Sequence, residues 1–422
     1  PAGSITLSGL DVSQTAPVVV SGTTTVNAGI GNVTLTTAGN NLNVLNVAGN
    51  AINVVEGAGS SLTVNTLSSG ANQPVSLAAG HTLTLPATVI NAGSADINLT
   101  SPIGPLVIPG ALVGSNINLS SGQGLTVNAP INAAGNFTAT VAGDFVTTVT
   151  QGIQVGGSMG MALGGGLEVS AVNQQANLNA GAGQTINAKY LSLTTTGSGS
   201  TKIYNQTGVQ SITTHGQNGA GEGILLRNAG TGANSVGIIN DGTAQTITVN
   251  NANVLRLQGV SGEVDIHSAG AQTITLQGAS SANLLEIGQA SNAGHSEIVG
   301  NSQTITAGQT GQAGGITIVA GTTDDRGAGI ANDSGLQIVK TTGTITLQAG
   351  TAPGVAGPDC LSTGGVYGGS CAFIGSDGAA LQTVAATNIQ LFGGTSGSLN
   401  LAVIGNLNPA GSQLLELHGG GD

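Results

Sequence analysis

The chain has 422 residues, of which 72 are glycine, and its 6 Lys and Arg residues against 18 Asp and Glu residues give a formal net charge of −12. So few basic residues cannot form the patch that neutralises phosphates, so nucleic acid is not expected as a partner. No run of about 18 apolar residues occurs, so no membrane span is predicted. A hydrophobic content of 39%, placed in short regular runs, argues against a disordered chain.

A four-residue motif, Gln-Thr-Ile-Thr, recurs in the second half of the chain. It stands at residues 245–248, 272–275 and 303–306, and related forms occupy residues 184–187 and 210–213. Two further short apolar segments follow each motif, each closed by Asn, Gly or Ser. Because side chains alternate along a strand, the isoleucine points to one side and the threonines to the other.

A strand this short cannot bury its apolar face alone, but stacked repeats line up the isoleucines and pair their backbone groups. Helix is opposed by the β-branched and glycine-rich composition. We therefore predict an all-β chain, a right-handed parallel β-helix (β-solenoid) that is triangular, with three short strands per rung. The predicted inner column is Ile186, Ile212, Ile247, Ile274, Ile305 and Ile345, and the predicted outward threonine ranks are Thr246, Thr248, Thr273, Thr275, Thr304, Thr306, Thr344 and Thr346.

Two regions of the predicted solenoid differ in regularity. Residues 1–183 carry alternating strands spaced roughly ten residues apart, which we interpret as one side of a triangular rung. Residues 184–422 carry the regular Gln-Thr-Ile-Thr rungs of the same solenoid, with a cysteine-containing loop insertion near residues 350–375. A solenoid grows in one dimension, so this length does not require separate globular domains.

The only two cysteines, Cys360 and Cys371, lie within that insertion. The Gly- and Ser-rich residues between them suit a local disulfide that closes a loop, and two free thiols are the alternative. No histidine lies near them in the sequence, so a metal site is not predicted there, and no cofactor is expected.

Parallel β-helices include polysaccharide lyases and hydrolases, which need carboxylates that converge on one face. The densest charged cluster is Asp324, Asp325 and Arg326, which we interpret as a solvated, ion-paired loop. Asp265 and His267 share an outward face, and we interpret them as surface residues. No catalytic residue is therefore predicted, and the chain is not expected to be an enzyme.

The threonine ranks resemble the ice-binding surface of β-helical antifreeze proteins. The favoured interpretation is simpler, because threonine suits the outward positions of strands, where its hydroxyls form ladders. Ser211 and Asn187 interrupt the ranks, which also favours this interpretation.

Three segments resemble filamentous-haemagglutinin-type exoproteins of bacteria: residues 125–137 (LTVNAPINAAGNF), 31–35 (GNVTL) and 75–80 (VSLAAG). The Gln-Thr-Ile-Thr repeats resemble β-strand-repeat surface proteins and autotransporter passengers. This resemblance implies a secreted β-helical adhesin at the cell surface. The chain begins at Pro1 without Met, from which we expect a removed export signal or a fragment.

From these observations we expect an extracellular structural or adhesive β-solenoid of a bacterial surface that self-assembles head to tail into filaments. Host or matrix carbohydrate is a further expected partner. The alternatives are a carbohydrate-active β-helix lyase or hydrolase and, less favoured, an ice-binding Thr-x-Thr face.

Overall fold

The computed structural model describes residues 3–148, 152–230, 235–252, 254–278, 283–291, 293–309, 312, 314–322, 327–351, 370–394 and 400–418. The chain forms two compact units. The first unit is Pro1–Glu168 with Leu178–Ala182, and the second is Val169–Asn177 with Gly183–Asp422. The described part of the chain contains strands, turns and bends but no helix, and so none that is long and apolar enough to cross a membrane.

The first unit is built from short strands, as its alternation of apolar and polar residues predicts. These strands are β1 (Ile5–Ser8), β2 (Val12–Ser13), β3 (Thr23–Asn27), β4 (Val33–Leu35), β5 (Val44–Ala48), β6 (Ile52–Ala58), β7 (Leu62–Ser68), β8 (Val75–Gly80), β9 (Leu83–Thr84), β10 (Ile90–Asn91), β11 (Ile97–Ser101), β12 (Leu106–Ile108), β13 (Leu112–Gly114), β14 (Ile117–Ser121), β15 (Leu125–Val127), β16 (Ile131–Ala133), β17 (Phe137–Val141), β18 (Phe145–Thr147), β19 (Ile153–Val155) and β20 (Met159–Leu163).

These strands form three parallel ladders, in which each strand pairs with its counterparts one coil earlier and one coil later. Ladder 1 consists of β1, β3, β5, β7, β9, β12, β15 and β18. Ladder 2 begins at β10 and continues through β13, β16 and β19. Ladder 3 consists of β2, β4, β6, β8, β11, β14, β17 and β20. Each coil therefore has two named strands up to β8 and three from β9 onward.

Polar side chains at one corner fix the length of the later coils in the first unit. The Oδ1 atom of Asp96 accepts the backbone N–H of Asn116 at 3.1 Å, and the Oδ1 of Asn116 accepts that of Asn136 at 2.9 Å. Asn136 in turn accepts the backbone N–H of Ser158 at 2.9 Å. The partners are 20, 20 and 22 residues apart in sequence, which is the length of one coil.

The ten-residue spacing of strands in this region does not correspond to one side of a triangular rung, which was the prediction. Strands β4 to β7 follow that spacing, yet they alternate between ladders 3 and 1, and Val33 lies opposite Ile52 rather than one side away from it. Ten residues are therefore about half of a coil here. The prediction was wrong because a regular strand spacing does not reveal how many strands one coil contains.

In the second unit the strands are longer and the coils larger. Strands β21 (Leu167–Val172) and β22 (Gln175–Ala180) lie where the chain passes from one unit to the other. The others are β23 (Gln184–Ala188), β24 (Leu191–Gly197), β25 (Ser200–Asn205), β26 (Val209–Thr214), β27 (Glu222–Gly230), β28 (Ser235–Asn240), β29 (Ala244–Asn250), β30 (Val254–Gly259), β31 (Glu263–Gln277), β32 (Leu285–Gly288), β33 (Ser296–Ala307), β34 (Ile316–Val319), β35 (Ala328–Thr341), β36 (Thr344–Gln348), β37 (Ala372–Ser376), β38 (Ala379–Ala386), β39 (Asn388–Phe392), β40 (Ala402–Asn406) and β41 (Ser412–Leu417).

Three parallel ladders also build the second unit. Ladder 1 consists of β24, β27, β30, β32, β34, β36 and β39. Ladder 2 runs through β25 and β28, and ladder 3 runs through β23, β26 and β29. Both ladders then continue in the long strands β31, β33 and β35, each of which belongs to both. After β35, ladder 2 continues as β37 and β40, and ladder 3 continues as β38 and β41. The predicted all-β parallel solenoid is confirmed in each unit, and its handedness stays a prediction.

The core of the second unit lies inside the coils, where apolar side chains of equivalent strands stack in columns. In ladder 1, Leu285 lies opposite Ile316, and Ile316 lies opposite Ile345. All three side chains have no measurable solvent exposure. Burying a side chain of this size contributes about 1.5–3 kcal/mol, so each coil is held by a few such contacts from its neighbours.

Candidate functional site

Five of the six isoleucines predicted as an inner column do share one column in ladder 3 of the second unit. They are paired in register and buried, and the column continues from Ile305 to Val339. The prediction that the sixth, Ile345, belongs to this column was wrong. It lies in ladder 1 between Ile316 and Ile389, because the ladder-3 strand before it reads Gln337-Ile338-Val339 and lacks the motif. The five in the column are Ile186, Ile212, Ile247, Ile274 and Ile305.

The first outward threonine rank extends over three coils and the second over four. Ser211 precedes the first rank and Ile338 follows it, and Lys340 follows the second. Thr344 and Thr346 lie in ladder 1, so they do not belong to either rank. Such short ranks do not favour an ice-binding face. One rank is Thr246, Thr273 and Thr304, and the other is Thr213, Thr248, Thr275 and Thr306.

The first residue of the motif forms the most continuous polar structure in the second unit. From Gln210 onward, the Nε2 of each glutamine in this row donates to the Oε1 of the glutamine one coil earlier. The seven donor–acceptor distances are 2.8, 2.7, 2.7, 2.7, 3.1, 2.7 and 2.6 Å. We call this row the glutamine ladder; its described members are Gln184, Gln210, Gln245, Gln272, Gln303, Gln337, Gln382 and Gln413.

Buried members of the glutamine ladder also bond backbone carbonyl groups. Gln245, for example, is 1% exposed, and its Nε2 also lies 3.1 Å from the carbonyl oxygen of His267. A buried amide without partners costs about 1–3 kcal/mol, whereas a chain of amides strengthens each of its hydrogen bonds. The sequence contained the signal for this ladder, because alternation places the glutamine on the same side as the isoleucine two residues later.

An arginine ties three coils together on the outer face of ladder 1. Arg256 Nη1 lies 2.5 Å from Glu222 Oε1, and Arg256 Nε lies 2.7 Å from Glu286 Oε2. Glu222 is almost fully buried and also accepts from Asn218 Nδ2 at 2.8 Å. Burial lowers the pKa of Arg256, but the hydrogen bonds and charges of Glu286 and Glu222 outweigh it and raise that pKa overall.

A second charged cluster lies on ladder 2. Asp265 of β31 lies opposite Glu297 of β33, and His295 Nε2 lies 2.9 Å from Glu297 Oε2. Burial raises the pKa of Asp265 to about 8, and the charge of Glu263 adds to this increase. Burial lowers the pKa of His295, but the hydrogen bond and charge of Glu297 raise it overall. The raised pKa favours the protonated form of Asp265, which lies opposite the Glu297 that contacts His295.

Several residues singled out in the sequence do not join these clusters in the described part. His267 lies opposite Ile239 and Val299, and no group of three or more His, Cys, Asp or Glu residues within the described ranges could hold a metal ion. Asp324, Asp325 and Arg326 lie outside the described residues, as does Cys360. Cys371 is fully buried in a cluster with other apolar residues, and its pairing with Cys360 stays a prediction.

Four grooves on the outer faces of the described coils contain at most one carboxylate each. Glycoside hydrolysis uses two carboxyl groups that flank the bond to be cleaved, so these grooves do not support the carbohydrate-active alternative. The expectation that the chain is not an enzyme stays a prediction.

Residues 1–49 match a family described as "Repeats of unknown function (DUF5649)". The matched segment lies within the first unit and includes β1 to β5. No curated protein and no solved structure matches the chain. A repeat family agrees with a repeat β-solenoid and says nothing about activity.

Proposed function

We propose that this chain is an extracellular structural and adhesive β-solenoid of a bacterial surface, and that it self-assembles head to tail into filaments. The interior of the described coils is occupied by apolar columns and, in the second unit, by the glutamine ladder. The outer faces therefore remain for contacts with partners. The resemblance to secreted β-helical adhesins supports the extracellular location.

The observation that carries the proposal is the exposure of inward-facing leucines on β41. Leu415 and Leu417 are 51% and 65% exposed, whereas their register partners on β38, Val384 and Ala386, are buried. In the described part of the chain no strand pairs with the outer edge of β41. Exposed apolar side chains along a strand edge are a template to which a second copy can add a strand, and the low density of charge gives weak repulsion between copies.

Negative-stain electron microscopy of the purified protein across a concentration series tests the assembly. We expect filaments for the unaltered chain and their loss in Leu415→Glu, because a carboxylate on the stacking surface would have to be buried. The control is Ile103→Glu, which places the same charge at a position of the first unit that is 52% exposed.

A monodisperse monomer at every concentration would refute self-assembly, and equal filament formation by Leu415→Glu would refute the role of the β41 surface. Surface labelling of intact cells that produce the protein tests its location separately. Labelling only after the cells are lysed would exclude the extracellular role.

A further inference from the structure

The outer face of ladder 1 in the second unit carries a groove of about 440 Å³. It spans four successive strands, β30, β32, β34 and β36. At the usual spacing of neighbouring strands, those four strands extend over roughly 15 Å. The groove therefore has the length of a short polymer segment rather than of a single small molecule.

Two rows of side chains form the groove. The polar row consists of Arg256, Glu286 and Thr317, which are in register on adjacent strands. Beside it, Gly288 and Val319 form an apolar floor. Gly288 has φ +74°, and a Cβ there would lie 2.2 Å from the carbonyl oxygen of Val319, so a side chain cannot fill this part of the groove.

The polar groups of the groove have unused hydrogen-bonding capacity. Within the described part of the chain, the side chains of Gln258, Thr317 and Gln348 make no hydrogen bond. Arg256, in contrast, is held in place by Glu222 and Glu286. A fixed guanidinium surrounded by amide and hydroxyl groups can bind a ligand with little loss of side-chain freedom at its centre.

The charge of the groove selects among polar polymers. One arginine is balanced against two glutamates, so the local charge is negative. A polymer that carries carboxylates or sulfates would be repelled, whereas uncharged hydroxyl groups can donate to Glu286 and accept from the amide groups. The apolar C–H surface of a sugar ring suits the floor at Gly288 and Val319.

We propose that this groove binds an extended, uncharged glycan chain that lies across the four strands. The proposal rests on the adhesive role proposed above and names the partner and the surface that it uses. Hydroxyl groups of consecutive sugars bind the polar row and the side chains of Gln258 and Gln348, and the ring faces lie on the apolar floor.

Isothermal titration calorimetry of the full chain with cellotetraose, chitotetraose and tetragalacturonate tests the proposal. We expect binding of at least one of the two neutral tetramers and none of the anionic one. Thr317→Ala and Gln348→Ala should each weaken that binding about 3- to 10-fold, the effect of one lost hydrogen bond. Gln123→Ala, at an exposed glutamine of the first unit, is the matched control and should bind as the unaltered chain does.

Failure of both neutral tetramers to bind would overturn the proposal, as would a preference for tetragalacturonate. Binding that Thr317→Ala and Gln348→Ala leave unchanged would place the glycan elsewhere and overturn it as well. Since both substitutions lie away from β41, filament formation by these variants is expected to be normal. Loss of glycan binding with intact filaments, or the reverse, therefore shows which of the two proposals fails.

Discussion

The two units align successive coils with polar side chains that lie in different parts of the coil. In the first unit, Asp and Asn side chains at a corner bind the next coil, and the bonded partners are 20 to 22 residues apart. In the second unit, glutamines inside the coil set the alignment, and bonded partners are 26 to 45 residues apart. Where corner side chains set the register between coils, the corner must keep its length. Where an internal ladder sets the register, the corners can accept insertions.

Interruption of the glutamine ladder is expected to have the largest effect on stability. Gln272→Met keeps the approximate shape of the side chain but removes both hydrogen bonds to Gln245 and Gln303, leaving one buried amide acceptor and one buried donor without their partners. Each such group costs about 1–3 kcal/mol, so we expect the second unit to lose about 2–6 kcal/mol of stability. Urea unfolding measures this loss.

Gln123→Met in the first unit provides the control for the same change at an exposed position. A loss below about 0.5 kcal/mol in Gln272→Met, which is typical of surface substitutions, would show that the ladder does not hold the coils in place.

Acidity affects both units through carboxyl groups with a raised pKa, Glu56 in the first unit and Asp265 in the second. Burial raises the pKa of Glu56 in the first unit to about 7 and that of Asp265 in the second to about 8. Above its ordinary pKa, each group keeps a proton in the folded chain that the unfolded chain has released. The contribution of each group to stability is therefore greatest below its ordinary pKa and falls as the pH rises through the raised pKa, by at most about 1.4 kcal/mol per pH unit.

Thermal unfolding between pH 5 and pH 9 checks this expectation. Glu56→Gln should remove the part of the pH dependence that ends near pH 7, and Asp265→Asn the part that ends near pH 8. Stability that rises over this pH range in the unaltered chain would contradict the assignment of both groups.

The smallest effect is expected at the corner of the first unit. Asn116→Ala removes a side chain that bonds both Asp96 and the backbone of Asn136, but the site is partly exposed to water. Water replaces part of what is lost, so we expect about 1 kcal/mol of destabilisation in urea unfolding. Asn132→Ala, at an exposed outward position of the same unit, should have almost no effect. A loss in Asn116→Ala as large as that in Gln272→Met would remove the distinction between corner and interior.

The sequence allowed prediction of those parts of the fold that depend on alternation within one strand. The inward isoleucines, the outward threonines and the parallel stacking follow from the motif alone. Ile345 was placed in the wrong column because two ladders can carry the same local pattern, and only the number of strands in the intervening coil tells them apart. The environment of Asp265 could not be predicted either, since it depends on Glu297 and His295, which reach it from the next coil.

The direction of the glutamine ladder has a consequence for how such a chain changes during evolution. Each glutamine needs an acceptor one coil earlier and offers an acceptor to the coil that follows. Duplication or deletion of a whole coil between equivalent glutamines therefore restores every bond, whatever the length of its corners. Recombination between repeats can thus lengthen or shorten the second unit one coil at a time without any compensating substitution.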